Sequence, residues 1–115
     1  MPSPRISALV LARDEAANLP GCLAALGWVD ERVVVVDRRS RDATEAIARR
    51  AADIVAVRDF TSFADQRNAA LELAGGDWVF AVDADERVTP ALAAEIRRVV
   101  ADPAAHHAGY RVPIR

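Results

Sequence analysis

The sequence predicts an α/β domain with a doubly wound, mostly parallel sheet of four or five strands and helices on both faces. Short apolar runs that fit buried strands alternate along the chain with longer segments of helical spacing, and this order is typical of parallel sheets. Four consecutive valines show no alternation with polar residues, which indicates a strand buried on both faces. A chain of 115 residues suits one domain that comprises residues 1–115.

Four segments predict the strands, and each is an apolar run bounded by charged or turn residues. In chain order they are residues 6–12, 32–37, 53–58 and 77–82. A fifth strand is predicted over residues 109–114. It is expected at an edge of the sheet, because Pro113 cannot donate a hydrogen bond to a neighbouring strand.

The segments between the strands predict helices. The first helix is indicated by four apolar residues at helical spacing, which are Leu19, Cys22, Leu23 and Leu26. The second covers residues 41–52 and has Asp42 as a candidate N-cap. The fourth begins with Thr89 as N-cap and Pro90 in its first turn. The apolar face of this last helix consists of Leu92, Ile96, Val99 and Val100.

The third helix is predicted over residues 62–74. Its apolar face is expected to include Phe63, Ala70 and Leu71. Gly75 and Gly76 follow the helix, and we expect glycine there to adopt the left-handed backbone conformation that ends many helices.

The composition excludes several kinds of chemistry. A formal net charge of −2 argues against a nucleic-acid binder and against a polybasic membrane anchor. All 15 basic residues are Arg, which excludes Schiff-base catalysis, pyridoxal cofactors and the lysine of a phosphate-binding P-loop. The single Cys22 is expected to be a core residue. Since no signal peptide or membrane span is recognisable, we expect a cytoplasmic protein, with peripheral association at the inner membrane left open.

The most informative segment follows the fourth strand, where an apolar run ends in Asp83, Asp85 and Glu86. In an extended chain, Asp83 and Asp85 leave the backbone on the same side and can converge on one hard cation. Carboxylates this close repel each other, so the cluster needs a metal, arginine partners or water. The pattern predicts a metal or ligand site, with a solvated turn as the alternative.

Acidic residues also follow the first two strands, as Glu15 and Asp37. Parallel strands end at one edge of a sheet, and ligands bind there at the switch point in strand order. We therefore expect these acids to meet the Asp83 cluster at one rim. The local sequence fits Asp37 equally as a ligand of a ribose or base and as part of a helix-capping network with Ser40 and Asp42.

Four ordered segments resemble the first half of family 2 glycosyltransferases, which have the GT-A fold. These segments are residues 6–15, 28–37, 66–71 and 76–86, and they are most similar to bacterial enzymes that add sugars to the lipopolysaccharide core. The resemblance implies a GT-A, Rossmann-like domain that binds a nucleoside-diphosphate sugar, with a UDP-sugar as the expected donor. It implies inverting transfer to a glycan or lipid-linked acceptor, and it leaves a homodimer open.

The resemblance also implies roles for residues along the rim. Ala12 and Glu15 would lie near the base and ribose, and Asp37 would hold the nucleoside. Arg67, with Asn68 beside it, would face the nucleotide or its diphosphate. From local sequence alone, Arg67 fits a solvated helix residue better than a ligand-binding one.

Asp85 and Asp83 match the family's metal motif. Asp85 would ligate Mg²⁺ or Mn²⁺ that bridges the diphosphate, and Asp83 would lie near the ribose or donor sugar. A divalent ion stabilises the charge that develops on the leaving diphosphate without a protonated side chain, so the absence of Lys is no obstacle. The acceptor domain is expected to be absent from this chain, and the catalytic general base is expected beyond Arg115.

Two departures from the family pattern favour an alternative function, namely the residues that follow the second strand and the absence of the acceptor half. Arg38 and Arg39 stand where relatives usually have a small Ser-Gly pair, and Ala43 stands where Gly is common, so the backbone approaches a ligand less closely. The alternative is a non-catalytic binding or interaction module that keeps the fold without binding nucleotide or metal. Phosphotransfer of the haloacid-dehalogenase or receiver-domain kind fits poorly, because those sites need a Lys.

Overall fold

In the computed structural model, which describes residues 4–102, four parallel strands form one sheet. The strands are β1 (Ile6–Ala12), β2 (Glu31–Asp37), β3 (Ile54–Arg58) and β4 (Trp78–Asp83). Their order across the sheet is β3-β2-β1-β4, so the switch point for ligand binding lies between β1 and β4. The predicted fifth strand, residues 109–114, lies outside the described residues.

Within residues 4–102, four helices cover the sheet on both sides. They are α1 (Leu19–Ala24), α2 (Thr44–Ala51), α3 (Phe63–Leu73) and α4 (Pro90–Ala101). Helices α1, α2 and α4 pack on one face, and α3 packs on the other. The predicted fold class is therefore confirmed. None of the helices in the described part of the chain has the length and hydropathy that crossing a bilayer requires.

The two central strands are buried on both faces, as the run of valines predicted. Val34 and Val36 pack with Val10 of β1 against α1 and α2, whereas Val33 and Val35 pack on the side of α3. All four valines of β2 are at most 1% exposed. Each buried valine contributes roughly 1.5–3 kcal/mol relative to an exposed one, so burial of these strands stabilises the fold substantially.

Side-chain caps begin two of the helices. Ser62 Oγ accepts a hydrogen bond from the Asp65 amide at 3.0 Å, and Thr89 Oγ1 accepts one from the Leu92 amide at 3.1 Å. The prediction for Thr89 is confirmed. The prediction for Asp42 is wrong by one position, since Ala43 is the N-cap of α2.

The predicted apolar face of α3 is wrong for two of its three residues. Phe63 and Leu71 are 72% and 43% exposed, and only Ala70 is buried. Gln66 is buried instead, at 3% exposed. A helix that lies over an open part of the sheet leaves apolar residues in solvent, which the spacing of those residues alone cannot reveal.

Gly75 and Gly76 do not adopt the expected left-handed conformation, since neither has a φ between +20° and +160°. Instead, the backbone of these two residues lies close to the amino ends of β1 and β2 and forms hydrogen bonds there. The Gly76 amide donates to Ser7 Oγ at 2.9 Å, the Ser7 hydroxyl donates to Glu31 Oε1 at 2.9 Å, and the Gly75 amide donates to the same Glu31 oxygen at 2.8 Å. A side chain at position 76 has no room beside Ser7.

Cys22 is a core residue, as predicted, and is 1% exposed. Its Sγ donates to the Asp83 carbonyl at 3.6 Å, which ties α1 to the end of β4. Burial raises the pKa of this thiol to about 11, so the thiol is protonated at neutral pH and is a poor nucleophile.

Candidate functional site

The candidate site lies along the carboxyl edge of the sheet. Three strands end there in Ala12, Asp37 and Asp83, which belong to β1, β2 and β4. Because all strand pairs are parallel, these ends share one edge. Two cavities open at this edge on the side of α3, and Leu11 lines both of them.

The loops that follow β1 and β2 are joined by hydrogen bonds. The Asp14 amide donates to Ser40 Oγ at 3.1 Å, the Arg41 amide donates to Asp14 Oδ1 at 2.6 Å, and the Glu15 amide donates to Thr44 Oγ1 at 2.8 Å. Asp14 has a φ of 50°, a conformation that short polar residues tolerate. The two loops therefore form one unit beside the carboxyl ends of β1 and β2.

The first cavity has a volume of about 170 Å³ and lies between the ends of β1 and β2 and the start of α3. Its wall combines apolar, aromatic and charged side chains. They belong to Leu11, Ala12, Arg13, Asp37, Arg39, Phe60, Phe63 and Gln66.

Asp37 is buried in this wall and is ion-paired with Arg39. The residue is 4% exposed, and the Arg39 guanidinium donates to Oδ2 at 2.6 Å and to Oδ1 at 3.1 Å. The guanidinium also lies 4.6 Å from the centre of the Phe60 ring. Ser40 donates only to the main-chain oxygen of Asp37, so the predicted capping network does not involve the carboxylate.

Hydrogen bonds from the Arg39 side chain lower the pKa of Asp37, against the opposing effect of burial. A carboxylate with a lowered folded-state pKa stabilises the fold above its unfolded pKa of about 4, and this contribution is lost as the pH falls through the folded value.

We therefore expect Asp37→Asn to destabilise the protein at pH 7, and the difference from wild type to shrink as the pH falls from about 5 to about 3. Urea unfolding at several pH values measures this difference. Asp59→Asn is the control, because its ion pair with Arg38 is exposed and contributes little. If the difference in free energy of unfolding between wild type and Asp37→Asn stays constant over this pH range, the charge of Asp37 does not have the proposed role.

The second cavity has a volume of about 220 Å³ and lies between β1, β4 and α3, at the switch point. Its polar residues are Arg67, Asp83 and Glu86. No ion pair within residues 4–102 involves Arg67, so its guanidinium is available to a ligand. Consecutive residues of α3 line different cavities, since Gln66 lines the first and Arg67 lines the second.

The segment after β4 is a tight turn and is not extended. The Glu86 amide donates to the Asp83 carbonyl at 2.9 Å, and the Asp83 amide donates to Glu86 Oε1 at 2.8 Å. The prediction that Asp83 and Asp85 leave an extended chain on the same side is therefore wrong. Asp85 lies inside the turn and is exposed.

The side chains of Asp83 and Asp85 have no hydrogen bond or ion pair within residues 4–102. The same residues contain no group of three His, Cys, Asp or Glu side chains that could hold a metal without other ligands. Arg87 donates to the carbonyls of Ala84 and Glu86 at 3.2 and 3.0 Å and thereby braces the turn. The turn thus offers two free carboxylates on a fixed backbone.

The cavities bring together four of the seven residues that the sequence singled out. Ala12 and Asp37 line the first cavity, Arg67 and Asp83 line the second, and Glu15, Asn68 and Asp85 line neither. Sequence reasoning gave no binding role to five residues that complete the walls, whereas Glu86 belonged to the predicted acidic cluster. The five are Arg13, Arg39, Phe60, Phe63 and Gln66. One signal was present, because Phe63, Gln66 and Ala70 share a helix face and a glutamine interrupts its apolar residues.

Residues 7–114 match the family described as Glycosyl transferase family 2. The chain belongs to this family. The family predicted from the four ordered segments is thereby confirmed.

Two curated relatives illustrate the range of proteins that contain this domain. A TPR repeat-containing protein of Synechococcus elongatus is 36% identical over 102 residues, which are 88% of this chain and 25% of that protein. LpsC of Rhizobium meliloti, a lipopolysaccharide core biosynthesis glycosyltransferase, is 32% identical over 97 residues, which are 80% of this chain and 36% of that protein. This family 2 chain thus spans between 25% and 36% of the length of these relatives.

Solved structures share the fold. The S. aureus TarS structure of residues 1–349 has a TM-score of 0.70 at 25% identity and covers 84% of this chain and 32% of that one. The mannosyltransferase PcManGT from Pyrobaculum calidifontis, solved with GDP-Man and Mn²⁺, has a TM-score of 0.69 at 27% identity. That similarity covers 90% of this family 2 chain and 34% of PcManGT.

Proposed function

We propose that this chain is the donor-binding half of a glycosyltransferase and binds a nucleoside-diphosphate sugar through a divalent metal. One observation carries the proposal. Two cavities that share Leu11 lie at the switch-point edge, one with the Asp37–Arg39 pair and the other with Arg67 and Asp83. Family membership supports the proposal, as do the GDP-Man and Mn²⁺ bound to a structurally similar mannosyltransferase.

The first cavity would hold the nucleoside, with Ala12 and Glu15 near the base and ribose. Asp37 would act mainly through Arg39, because both carboxylate oxygens already accept from that guanidinium. A guanidinium has five N–H donors, so Arg39 keeps donors for a ligand while it remains paired. The nucleoside would therefore meet a positioned donor without displacing the ion pair.

The second cavity would hold the diphosphate. The planar guanidinium of Arg67 suits two phosphate oxygens, and Asn68 follows it on the same helix. Magnesium in proteins is usually held by one or two carboxylates together with substrate phosphates, which fits the two free carboxylates Asp83 and Asp85. When bound, Mg²⁺ or Mn²⁺ would stabilise the charge on the leaving diphosphate as a Lewis acid.

Sugar transfer with inversion also needs a general base within hydrogen-bond reach of the attacking hydroxyl. Because the chain spans only 25% to 36% of its relatives, we place that base and the acceptor site outside these 115 residues. The similarity to LpsC supports a glycan or lipid-linked acceptor of the lipopolysaccharide core type for the whole protein.

Calorimetric titration of the chain with UDP and with GDP, each in Mn²⁺, in Mg²⁺ or in EDTA, tests the proposal. We expect saturable binding of at least one nucleotide in metal and at least about tenfold weaker binding in EDTA, a difference of about 1.4 kcal/mol. Uridine and guanosine are the controls, because they lack the phosphates that the metal would bridge. An absence of saturable binding in every condition would overturn the proposal.

A non-catalytic module is the second candidate function, and the occupied carboxylate of Asp37 favours it. If Arg39 stays bonded to Asp37 and donates no hydrogen bond to a ligand, neither residue of the pair contacts the nucleoside in the first cavity. Such a module would bind neither nucleotide nor metal in the titrations. Sedimentation velocity would then show whether the chain self-associates.

A further inference from the structure

Arg87 holds the turn that carries Asp83 and Asp85. Its Nη1 donates to the Ala84 carbonyl at 3.2 Å and to the Glu86 carbonyl at 3.0 Å, the two carbonyls that flank Asp85. The Glu86 amide, on the other side of Asp85, donates to the Asp83 carbonyl at 2.9 Å. Both peptide groups that join Asp85 to its neighbours are therefore hydrogen-bonded, which restricts the backbone dihedral angles of this residue.

The Arg87 guanidinium braces this turn without neutralising its acids. Three carboxylates lie within four residues of Arg87 in the sequence, yet none of the ion pairs among residues 4–102 involves this guanidinium. A cation beside two close carboxylates also reduces their mutual repulsion. The side chain thus leaves the carboxylates of Asp83 and Asp85 available to a metal.

Helix α1 provides the surface on which this guanidinium lies. A Cβ placed on Gly21 would come 2.6 Å from Nε, 2.9 Å from Nη2 and 3.0 Å from Cζ of Arg87. The next residue, Cys22, donates through Sγ to the Asp83 carbonyl at 3.6 Å. Two consecutive residues of α1 therefore contact the turn, one by leaving space for Arg87 and the other through a hydrogen bond.

The contact with Arg87 accounts for a glycine inside α1. Gly21 does not have the left-handed backbone conformation that requires glycine, and glycine destabilises a helix relative to alanine. A side chain at this position would displace the guanidinium, because the end of a long flexible side chain moves more easily than the backbone of a helix. The glycine therefore preserves the position of Arg87 at the expense of helix stability.

We propose that Arg87 is a positioning residue for the metal site, and that Gly21 makes room for the guanidinium that holds Asp85 in place. The inference rests on the proposed function, because it concerns the carboxylates to which that function assigns the metal. It makes metal affinity depend on a residue of α1, which lies on the face of the sheet opposite both cavities.

Gly21→Ala and Arg87→Ala test the proposal, and Gly27→Ala and Arg97→Ala are the matched controls. A Cβ on Gly27 would lie 3.6 Å from the Ala24 carbonyl oxygen, which is an ordinary contact. Arg97 is exposed on α4 and lines neither cavity. Both controls should behave as wild type does in every measurement.

Calorimetric titration of Mn²⁺ into each protein, in the presence of UDP and separately of GDP, measures the metal affinity. We expect Gly21→Ala and Arg87→Ala to bind Mn²⁺ about 10–100-fold more weakly than wild type, the usual effect of losing a group that orients a metal ligand. The midpoint of thermal unfolding of Gly21→Ala should not be lower than that of wild type, since alanine favours a helix. A loss of affinity without a loss of stability is not expected from a purely structural residue.

Hydrogen exchange of the Glu86 amide, followed by NMR, measures the order of the turn without any ligand. We expect faster exchange in Gly21→Ala and Arg87→Ala than in wild type, because the turn loses the hydrogen bonds from the guanidinium. Exchange of the Val10 amide in β1 should not change. Unchanged exchange of the Glu86 amide in both variants would overturn the role of Arg87, whatever the protein binds.

The outcomes separate this inference from the proposed function. If wild type binds Mn²⁺ with a nucleotide and both variants keep its affinity, the donor site stands and Arg87 does not position the metal. If the unfolding midpoint and the metal affinity of Gly21→Ala fall together, Gly21 supports the stability of α1 and its proposed role is wrong. If wild type binds neither nucleotide nor Mn²⁺, the proposed function is overturned together with the inference.

Discussion

Replacement of Asp85 by Ala is expected to remove the metal-dependent part of nucleotide binding and to leave the fold intact. Asp85 is exposed in the turn after β4 and has no hydrogen bond or ion pair within residues 4–102. Exposed positions of this kind usually change the free energy of unfolding by less than about 0.5 kcal/mol. The variant therefore tests the ligand role without a confounding loss of structure.

The expected loss is large because the site offers few protein ligands. The described residues contain no third His, Cys, Asp or Glu that could join Asp83 and Asp85 at one metal. Loss of a group that merely supports a metal ligand costs about 10–100-fold in metal affinity or activity, so loss of a direct ligand is expected to cost at least as much. In EDTA, wild type and Asp85→Ala should bind nucleotide alike.

Two further variants test whether a loss of metal-dependent binding is due to the charge of Asp85. Asp85→Asn keeps the shape of the side chain and removes its charge, and we expect the same loss as for Asp85→Ala. Glu72→Ala removes an exposed carboxylate from α3 that lines neither cavity, and we expect no change in the metal dependence. Equal metal dependence in wild type and Asp85→Ala would exclude Asp85 as a ligand and leave Asp83 and Glu86 as candidates.

The sheet could be predicted from sequence because burial on both faces leaves a simple pattern. The four valines of β2 have no polar neighbour that must face water, and the structure places all four at most 1% exposed. Parallel strands also fix the position of Asp37 and Asp83 at one edge as soon as the strand order is known. These features depend on backbone direction and need no side-chain detail.

The walls of the cavities could not be predicted in the same way, because they depend on side chains from separate loops. The pair of Asp37 and Arg39 forms where the chain turns directly after β2, and the Arg39 amide also donates to Asp37 Oδ1 in this turn. Phe60 reaches the same cavity from the loop after β3. Sequence spacing holds no information on how such loops converge.

Helix α3 shows why the spacing of apolar residues does not always predict which residues are buried. Helical spacing predicts which residues share a face, and Phe63 does share one with Ala70. Spacing does not show whether that helix face packs directly on the sheet or lies over a cavity. Since α3 begins over a cavity, Phe63 lies at its wall and is exposed, whereas the polar Gln66 is buried.

Substitution of Gly76 by Ala is expected to destabilise the domain by about 1–3 kcal/mol, the usual range for overpacking. A Cβ at this position would lie 2.6 Å from Ser7 Oγ, 2.8 Å from Ser7 N and 3.0 Å from the Arg5 carbonyl oxygen. The backbone cannot yield cheaply here, because the Trp78 amide donates to that carbonyl at 3.0 Å where β4 joins β1. The added methyl group also weakens the bond from the Gly76 amide to Ser7, whose hydroxyl is buried.

The neighbouring glycine supplies the control. A Cβ on Gly75 would lie 3.7 Å from Glu31 Oε2, an ordinary contact, so Gly75→Ala is expected to change the free energy of unfolding by less than about 0.5 kcal/mol. Urea unfolding at neutral pH measures both variants, with the slope m as a check that the unfolded state is unchanged. Equal losses for Gly75→Ala and Gly76→Ala would assign the effect to the flexibility of glycine and not to the contact with Ser7.

Combining Gly76→Ala with Asp85→Ala tests whether the stability of the fold and the affinity for nucleotide are independent. Gly76 precedes the amino end of β4 and Asp85 follows its carboxyl end, and a six-residue strand at about 3.3 Å per residue keeps them roughly 20 Å apart. Effects of substitutions this far apart usually add. The double variant with Gly76→Ala and Asp85→Ala should therefore show the unfolding free energy of the first and the nucleotide affinity of the second. A further loss of affinity in the double variant would mean that the amino end of β4 is coupled to the metal turn through the strand.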